Sequence, residues 1–263
     1  MFRCDDLEIR RDTFQFGPLS AQVEAGDIVV VIGPNASGKS TLLEMAAGVL
    51  KVGEGVVRIS GQPLGACDLA ARAALLAFLP QQPARDLELS VERLVSLGRL
   101  RLASAPAAIE HAIEVFELGA IRHRAVSTLS AGQAQRVHLA RVWAQREASS
   151  ILVLDEPTAP LDQRWSDQVW ALLASHARGG GIVIVSVHDL AVAADVGDQA
   201  WLLDLGKLVI AGPVVDVIQP DVIEPVFGAQ FEWVVRRDGS EWLVSSGPSA
   251  HKRDSVHLGH GSR

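Results

Sequence analysis

The amino-acid sequence predicts an α/β fold with a mostly parallel sheet, antiparallel β elements and an inserted helical segment. Three short runs of mostly branched apolar residues lie at residues 28–32, 151–154 and 182–187, each bounded by Gly, Asp or Ser. Such runs are typical of parallel strands that are buried on both faces. We therefore expect these three runs to form the middle of one sheet.

The helical segment is predicted between about residues 87 and 145. Within it, apolar residues recur at the spacing of one helix face just after Pro106, which favours the first turn of a helix. Towards the end of the chain, turn residues at Gly206 and at Asp238–Gly239 separate short apolar runs and predict two hairpins. We expect one domain at residues 1–245, with a core at 1–86 and 146–245, a helical subdomain at 87–145 and a disordered tail at 246–263.

Composition excludes several classes of protein. The chain has 263 residues, 48% of them hydrophobic, and a net charge of −7, which disfavours a broad basic surface for nucleic acid. No apolar stretch approaches the roughly 20 residues that a membrane helix requires, and the first ten residues lack the pattern of a secretory signal. We expect a cytosolic protein in which Cys4 and Cys67 form neither a disulfide nor a zinc site.

A glycine-rich segment after the first apolar run fits the phosphate-binding pattern G-x-x-x-x-G-K-[ST]. It comprises Gly33, Pro34, Asn35, Ala36, Ser37, Gly38, Lys39 and Ser40. The glycines allow a tight turn whose N–H groups face one concavity, and the next helix points its positive end there. With Lys39 and the adjacent Thr41, this predicts a site for the β- and γ-phosphates of a nucleotide, and Ser40 occupies the position that binds Mg²⁺ in such loops. A chance glycine-rich turn is the alternative.

Two adjacent carboxylates, Asp155 and Glu156, end the second apolar run. Because side chains alternate along a strand, we expect the two carboxylates to point in different directions. Asp155 can then hold the metal, while Glu156 orients or deprotonates an attacking water. The alternative is a polar strand end that caps the turn at Pro157.

Ser130 and Gln133 form the pattern S-x-x-Q ahead of an apolar helix face, which predicts a helix capping box. Residues 129–133 also match four of the five positions of LSGGQ, and here the sequence resembles the ATP-binding cassette (ABC) ATPases. The resemblance implies that Ser130, Gly132 and Gln133 bind the γ-phosphate of a nucleotide held on a second subunit. Ala131 replaces the glycine that is usual in the family.

The glycine-rich loop at 33–40, the LSGGQ-like residues 129–133, the strand and carboxylates at 151–156 and then His188 follow one another in the order found in this family. The resemblance covers about residues 7–244. It implies a RecA-like P-loop NTPase fold, with ATP and Mg²⁺ as cofactors. By resemblance, His188 is the switch histidine at the γ-phosphate, and Gln81, or alternatively Gln82, reaches the metal and the water. Asp162, which follows Pro160 and Leu161, resembles the loop that crosses to the partner subunit.

One feature that is common in the family, a tyrosine at the adenine, is missing from this sequence. Many relatives stack the base on an aromatic ring, often Tyr, ahead of the glycine-rich loop, but this chain contains no tyrosine. Phe14 and Phe16 are the nearby aromatic residues. Either one is alternatively part of the core.

Within the family, residues 17–26, 61–64 and 81–82 look most like the ATPase subunit of cobalamin importers, and residues 90–99 are similar to ferric-siderophore and haem importers. The resemblance implies a homodimer at the cytoplasmic face of the inner membrane, a separate permease dimer and, indirectly, a periplasmic or surface binding protein. A permease helix is expected beside the Gln81 loop, with residues 81–92, including Arg85 and Asp86, as candidate contacts. The rivals are a soluble cassette acting on nucleic acid or ribosomes and a cassette that binds ATP without hydrolysing it.

Overall fold

A computed structural model describes residues 1–11, 14–148 and 150–248 of the chain. Its strands are β1 (Phe2–Arg11), β2 (Phe14–Val23), β3 (Ile28–Ile32), β4 (Glu54–Ile59), β5 (Gln62–Pro63), β6 (Leu76–Leu79), β7 (Ile151–Asp155), β8 (Ile182–Ser186), β9 (Gln199–Asp204), β10 (Lys207–Pro213), β11 (Ala229–Val235) and β12 (Glu241–Pro248). Its α-helices are α1 (Lys39–Ala46), α2 (Leu69–Leu75), α3 (Val91–Ser96), α4 (Pro106–Val115), α5 (Ala131–Gln145), α6 (Gln163–Arg178), α7 (Leu190–Val196), α8 (Val214–Val217) and α9 (Pro220–Phe227).

The central sheet has six strands in the order β10-β9-β3-β8-β7-β6. All neighbouring pairs are parallel except the edge pair of β9 and β10. The three apolar runs of the sequence therefore lie side by side as β3, β8 and β7, which confirms the predicted fold class. Because parallel strands end at the same edge of a sheet, the segments after these three strands are brought together.

The two faces of the central sheet are covered by different layers. Alternate residues of β3 point to opposite faces: Val29 and Val31 pack towards the first layer, and Val30 and Ile32 pack towards the second. The first layer consists of α1 and a four-stranded sheet in the order β2-β1-β4-β5. The second layer contains helices α3 to α7.

The sequence did not identify the strands of the four-stranded sheet. The pairing of β1 with its neighbours shifts register near Asp6, which has a positive φ of 48°. This irregularity breaks the two-residue alternation by which a half-buried strand is recognised.

Residues 87–145 contain α3, α4 and α5 with short 3₁₀ turns between them. Phe116, just after α4, contacts Trp143 of α5 edge to face, with ring centroids 6.4 Å apart. The helix predicted after Pro106 is confirmed as α4. The division of the chain into a core and a helical subdomain stays a prediction.

Both hairpins are present: β9 pairs with β10, and β11 with β12. Strand β12 continues to Pro248, three residues into the stretch that the sequence predicted to be disordered, and residues 249–263 of that tail lie outside the described residues. Within 1–11, 14–148 and 150–248, no helix combines the length and apolar character needed to cross a membrane.

Candidate nucleotide-binding site

The glycine-rich loop connects β3 to α1, as predicted. Gly33 has φ 148° and Gly38 has φ 103°, in a region of backbone conformation that favours glycine. A Cβ on Gly33 would lie 2.2 Å from the carbonyl oxygen of Leu203, and one on Gly38 would lie 2.8 Å from Cδ2 of Phe16. Both glycines are therefore required by packing beneath the loop as well as by its turn.

Lys39 lies inside the loop, with its side chain buried. Its Nζ donates hydrogen bonds to the carbonyl oxygens of Gly33 at 2.8 Å and Pro34 at 2.9 Å. Burial lowers the pKa of Lys39 below its ordinary value, and the negative charges of Glu156 and Asp155 oppose that shift. The ammonium group is thus held at the mouth of a turn built from backbone amides, where an anion would compensate its desolvation.

A cavity of about 290 Å³ opens above the loop. It is lined by Asn35, Ala36, Ser37, Gly38, Lys39, Ser40, Thr41, Gln81 and Glu156. The Oγ of Ser37 is buried and has no hydrogen-bond partner among the described residues. A buried hydroxyl without a partner beside a buried ammonium group fits a site for phosphate oxygens.

Ser186 holds the two adjacent carboxyl residues at the end of β7. The side chain of Asp155 is buried, and its Oδ1 accepts a hydrogen bond from Oγ of Ser186 at 2.5 Å. Glu156 has a left-handed backbone with φ 48°, and its N–H donates to the same Oγ at 2.9 Å. We expected alternation along the strand to send the two carboxylates in different directions. Glu156 lies after the end of β7, so the left-handed turn, and not strand alternation, sets the direction of its side chain.

Glu156 brings together the two residues predicted to act with it. Its Oε1 lies 2.9 Å from Nε2 of Gln81 and 2.6 Å from Nε2 of His188. Since Gln81 donates through its amide nitrogen, its carbonyl oxygen stays available to a cation. Of the two adjacent glutamines, Gln81 is the one that lines the cavity.

The residues predicted to bind Mg²⁺ offer oxygen ligands. Ser40 and Gln81 line the cavity, whereas Asp155 is buried at the adjoining strand end. Among the described residues, no group of three or more His, Cys, Asp or Glu side chains could hold a metal. One carboxylate with neutral oxygens fits Mg²⁺, which usually completes its shell with substrate phosphates and water.

Ser130, Gly132 and Gln133 lie at a different cavity, of about 320 Å³. It is lined by Ser130, Gly132, Gln133, Arg136, Pro160, Leu161, Asp162 and Trp165. The capping box is confirmed, because Ser130 and Gln133 each accept the other's backbone N–H. Ala131 begins α5 in a helical conformation, so its methyl group is accommodated there. Within the described part of the chain, the two cavities have no lining residue in common.

The second cavity joins the start of α5 to the start of α6. A Cβ on Gly132 would lie 3.2 Å from the carbonyl oxygen of Pro160, so the two segments approach closely. Asp162 caps α6 by accepting the N–H of Trp165 at 3.0 Å. The guanidinium group of Arg136 lies 4.3 Å from the centre of the Trp165 ring, in a cation–π contact.

Two lining or supporting residues were missed by sequence reasoning. Arg136 follows the capping box by one helix turn, a signal that could have placed it beside Ser130. No local signal connects Ser186 with Asp155, because the two residues meet only through strand pairing. Phe16 proves to be buried beneath Gly38 and belongs to the core, and the side chain of Phe14 lies outside the described residues.

Comparison with known proteins agrees with this geometry. A sequence model of the family described as "ABC transporter" matches residues 16–159. The chain is 37% identical to the hemin import ATP-binding protein of Streptomyces coelicolor, over 81% of this chain and 78% of that protein. It is also 37% identical to the vitamin B12 import ATP-binding protein of Pectobacterium atrosepticum, over 88% of this chain and 95% of that protein. A dimeric ATP-binding cassette in a post-hydrolysis state, bound to ADP and Pi, shares the fold with a TM-score of 0.72 and 23% identity, over 81% of this chain and 99% of that one.

Proposed function

The chain belongs to the ABC transporter family, and from that premise we propose that it is the ATP-hydrolysing subunit of an importer for cobalamin or a related metal chelate. Relatives named for hemin import and for vitamin B12 import are equally similar to the chain. Haem and ferric siderophores therefore remain the alternative cargoes. The single observation that carries the catalytic part of the proposal is the contact of one Glu156 oxygen with both Gln81 and His188.

In the proposed site, the residues lining the 290 Å³ cavity hold ATP. The loop amides and Lys39 bind the β- and γ-phosphates, and Thr41 extends this surface into α1. Ser40, Gln81 and Asp155 hold Mg²⁺, which neutralises charge on the phosphates when it is bound. Glu156 orients an attacking water and takes its proton, and His188 contacts the γ-phosphate.

The proposal includes a homodimer in which two copies pair head to tail. The glycine-rich loop and the start of α5 line separate cavities, so one chain presents two halves of a site. A second copy would supply Ser130, Gly132 and Gln133 to the phosphates, with Asp162 near the same contact. This arrangement lets ATP join the two copies and lets hydrolysis release them. A solved cassette of the same fold is dimeric.

A groove of about 480 Å³ beside β6 supports the proposed contact with a permease dimer. It lies between α1, α2 and α5 and includes Pro80, the residue before Gln81. Val49 and Leu69 are exposed in its wall. Arg85 and Asp86 are exposed on the loop that follows and do not line the groove. We place a cytoplasmic permease helix in this groove, which puts the chain at the inner face of the cell membrane; a periplasmic or surface binding protein acts only indirectly.

Disulfide crosslinking tests the dimer and the site together. Asn35→Cys at the exposed loop tip and Ser130→Cys at the start of α5, combined in one chain carrying Glu156→Gln, should form a covalent dimer when ATP is added. Either cysteine alone should leave the chain monomeric under the same oxidation. An ATP-bound chain that stays monomeric by crosslinking and by light scattering would contradict the paired site. Stimulation of ATP hydrolysis by nucleic acid would instead favour a soluble cassette that acts on nucleic acid or ribosomes.

The cargo is tested with the permease that co-purifies with the chain. Cobalamin, haem and a ferric chelate are each added together with the corresponding binding protein. One of these three compounds should accelerate ATP hydrolysis by the complex of the chain and its permease. Acceleration by none of these chelates would contradict the cargo class while leaving the ATPase assignment intact.

A further inference from the structure

Ser186 is a buried polar residue at the end of an otherwise apolar strand. It is 1% exposed, and the four residues before it in β8 are Ile182, Val183, Ile184 and Val185. A hydroxyl in such surroundings is unfavourable unless its hydrogen-bonding capacity is used. The presence of serine in the middle of the sheet therefore indicates specific partners.

The partners of Ser186 are the two carboxyl residues of the site. Its hydroxyl donates to Oδ1 of Asp155 at 2.5 Å and accepts the backbone N–H of Glu156 at 2.9 Å. Strand pairing sets this geometry, because Ser186 lies opposite Asp155 on β7 and opposite Val31 on β3. One hydroxyl thus connects the last residue of the neighbouring strand, Asp155, with the first residue after it, Glu156.

The bond to Asp155 has a consequence for the metal ligand. Because Oδ1 is engaged by Ser186, the carboxylate cannot rotate freely, and Oδ2 is the oxygen left for a cation or its bound water. Hydrogen bonds of this kind orient metal-binding carboxylates in proteins.

The bond to the Glu156 N–H has a consequence for the general base. A left-handed backbone is uncommon for a residue other than glycine, and neighbouring contacts have to maintain it. The hydroxyl of Ser186 binds the N–H at this turn, and the turn directs the carboxylate to Gln81 and His188. His188 follows Ser186 by two residues. The end of β8 and the residues just after it therefore contact both the backbone N–H and the carboxylate of Glu156.

We propose that Ser186 is a positioning residue for ATP hydrolysis: its single hydroxyl orients Asp155 and maintains the backbone turn that aims Glu156. This inference rests on the proposed roles of Asp155 and Glu156. The residue touches neither nucleotide nor water in this scheme, and it acts only through its two neighbours.

The test compares Ser186→Ala, Ser186→Cys and Ser186→Thr in the full chain. Ser150→Ala is the matched control, since Ser150 is also buried, lies just before β7 and bonds the backbone of Glu147 through its hydroxyl. The first measurement is amide hydrogen exchange without nucleotide. Ser186→Ala should raise exchange at the Glu156 N–H at least tenfold, and Ser150→Ala should leave it unchanged.

The second measurement separates kcat from ATP affinity. Ser186→Ala should lower kcat at least tenfold while the Kd for ATP changes less than about threefold, because misplaced reacting groups slow the chemical step more than binding. Ser186→Thr, which keeps the hydroxyl, should restore both the slow exchange and most of kcat. Ser186→Cys, close in size to serine, should behave like Ser186→Ala and provides the same comparison if the alanine variant does not fold.

Three results would overturn the inference. The first is an unchanged exchange rate of the Glu156 N–H in Ser186→Ala and Ser186→Cys, and the second is an unchanged kcat in these two variants. The third is a Ser186→Thr variant that keeps the slow exchange but has a kcat as low as that of Ser186→Ala. Glu156→Gln, measured in parallel, distinguishes these failures from failure of the proposed function. If Glu156→Gln abolishes turnover and Ser186 variants do not alter it, only the Ser186 inference fails. If Glu156→Gln turns over normally, the proposed role of Glu156 fails and the inference fails with it.

Discussion

Nε2 of His188 lies 2.6 Å from Oε1 of Glu156, although the two residues are 32 positions apart in the chain. This distance puts the imidazole ring in direct contact with the carboxylate. Gln81 donates to the same oxygen. Among the described residues, the second oxygen of Glu156 has no hydrogen-bond or ion-pair partner, so it is free to bind a water molecule, which fits the proposed role of this carboxylate.

Removing either of these two contacts of Glu156 should slow hydrolysis without abolishing ATP binding. We expect His188→Ala to lower kcat by about 10²-fold or more, within the range found for groups that act in proton transfer and charge stabilisation. Gln81→Ala should have a smaller effect on kcat and should raise the Mg²⁺ concentration needed for half-maximal rate. His111→Ala, on the exposed face of α4, is the control and should keep the normal rate. Normal kcat in His188→Ala would contradict its assigned role.

Lys39→Ala should remove ATP binding itself. The buried ammonium group is the charged donor of the loop, and no other lysine or arginine lines the cavity among the described residues. ATP at 100 times its Kd stabilises a protein by about 2.7 kcal/mol, which is measurable as a shift in Tm. This shift should disappear in Lys39→Ala and persist in Lys51→Ala, an exposed lysine just after α1. A full ATP-dependent shift in Lys39→Ala would show that the phosphates bind elsewhere.

Stability should fall in mild acid because of His138 on α5. Burial lowers the pKa of this histidine to about 4, while its Nε2 contacts the carbonyl oxygen of Ala84 at 2.9 Å, and Arg141 and Arg85 add a smaller lowering. The unfolded chain, with an ordinary pKa near 6.5, binds the proton first as pH falls. The free energy of unfolding should therefore decrease between about pH 6.5 and pH 4, by about 3 kcal/mol from this residue.

Urea unfolding of His138→Gln over this pH range checks the prediction. The variant should lose much of the pH dependence, and His111→Gln should keep all of it. Some dependence should remain in His138→Gln, because burial also lowers the pKa of His176. Equal slopes in the His138→Gln and unmodified chains would contradict the assignment.

Gly33 should be required for folding even without nucleotide. An alanine there would combine an unfavourable φ of 148° with a Cβ only 2.2 Å from the Leu203 carbonyl oxygen. We expect the free energy of unfolding to fall by more than about 3 kcal/mol. Gly180 has a similarly unfavourable φ of 92° but open space around it, so Gly180→Ala should cost only about 1 kcal/mol. Urea unfolding measures both variants. Similar losses of unfolding free energy in Gly33→Ala and Gly180→Ala would contradict the prediction, because they would mean that the backbone shifts to relieve the close contact with Leu203.

A charge in the groove beside β6 should weaken binding of the ATPase to the proposed permease. Leu69→Glu should leave the basal hydrolysis of the isolated chain unchanged and reduce co-purification with the permease at least tenfold. Val235→Glu, at an exposed hairpin position, should affect neither property. Charge reversal at Arg85 or Asp86 tests the neighbouring loop in the same assay. Normal assembly of Leu69→Glu would place the permease contact on another surface.

Features that depend on neighbouring residues were predictable from the sequence. The loop from Gly33 to Ser40 has a fixed spacing, and the capping box of Ser130 and Gln133 closes within one helix turn. The strands β3, β7 and β8 were recognisable because they are continuously apolar, and a parallel sheet buried on both faces demands this composition. The antiparallel sheet was less accessible, since the irregularity at Asp6 interrupts the alternation of β1.

The pattern of residues along the chain predicted which chemical groups the site contains and that β3, β7 and β8 form the middle of one sheet. The fold was needed to show three further relationships: Gln81 and His188 contact the same oxygen of Glu156, Ser186 joins Asp155 to the turn at Glu156, and the start of α5 lines a cavity apart from Lys39. These relationships depend on the order of the strands in the sheet. The ends of parallel strands meet at one edge, but packing between distant segments decides which strands become neighbours. The pattern of each segment alone does not contain that information.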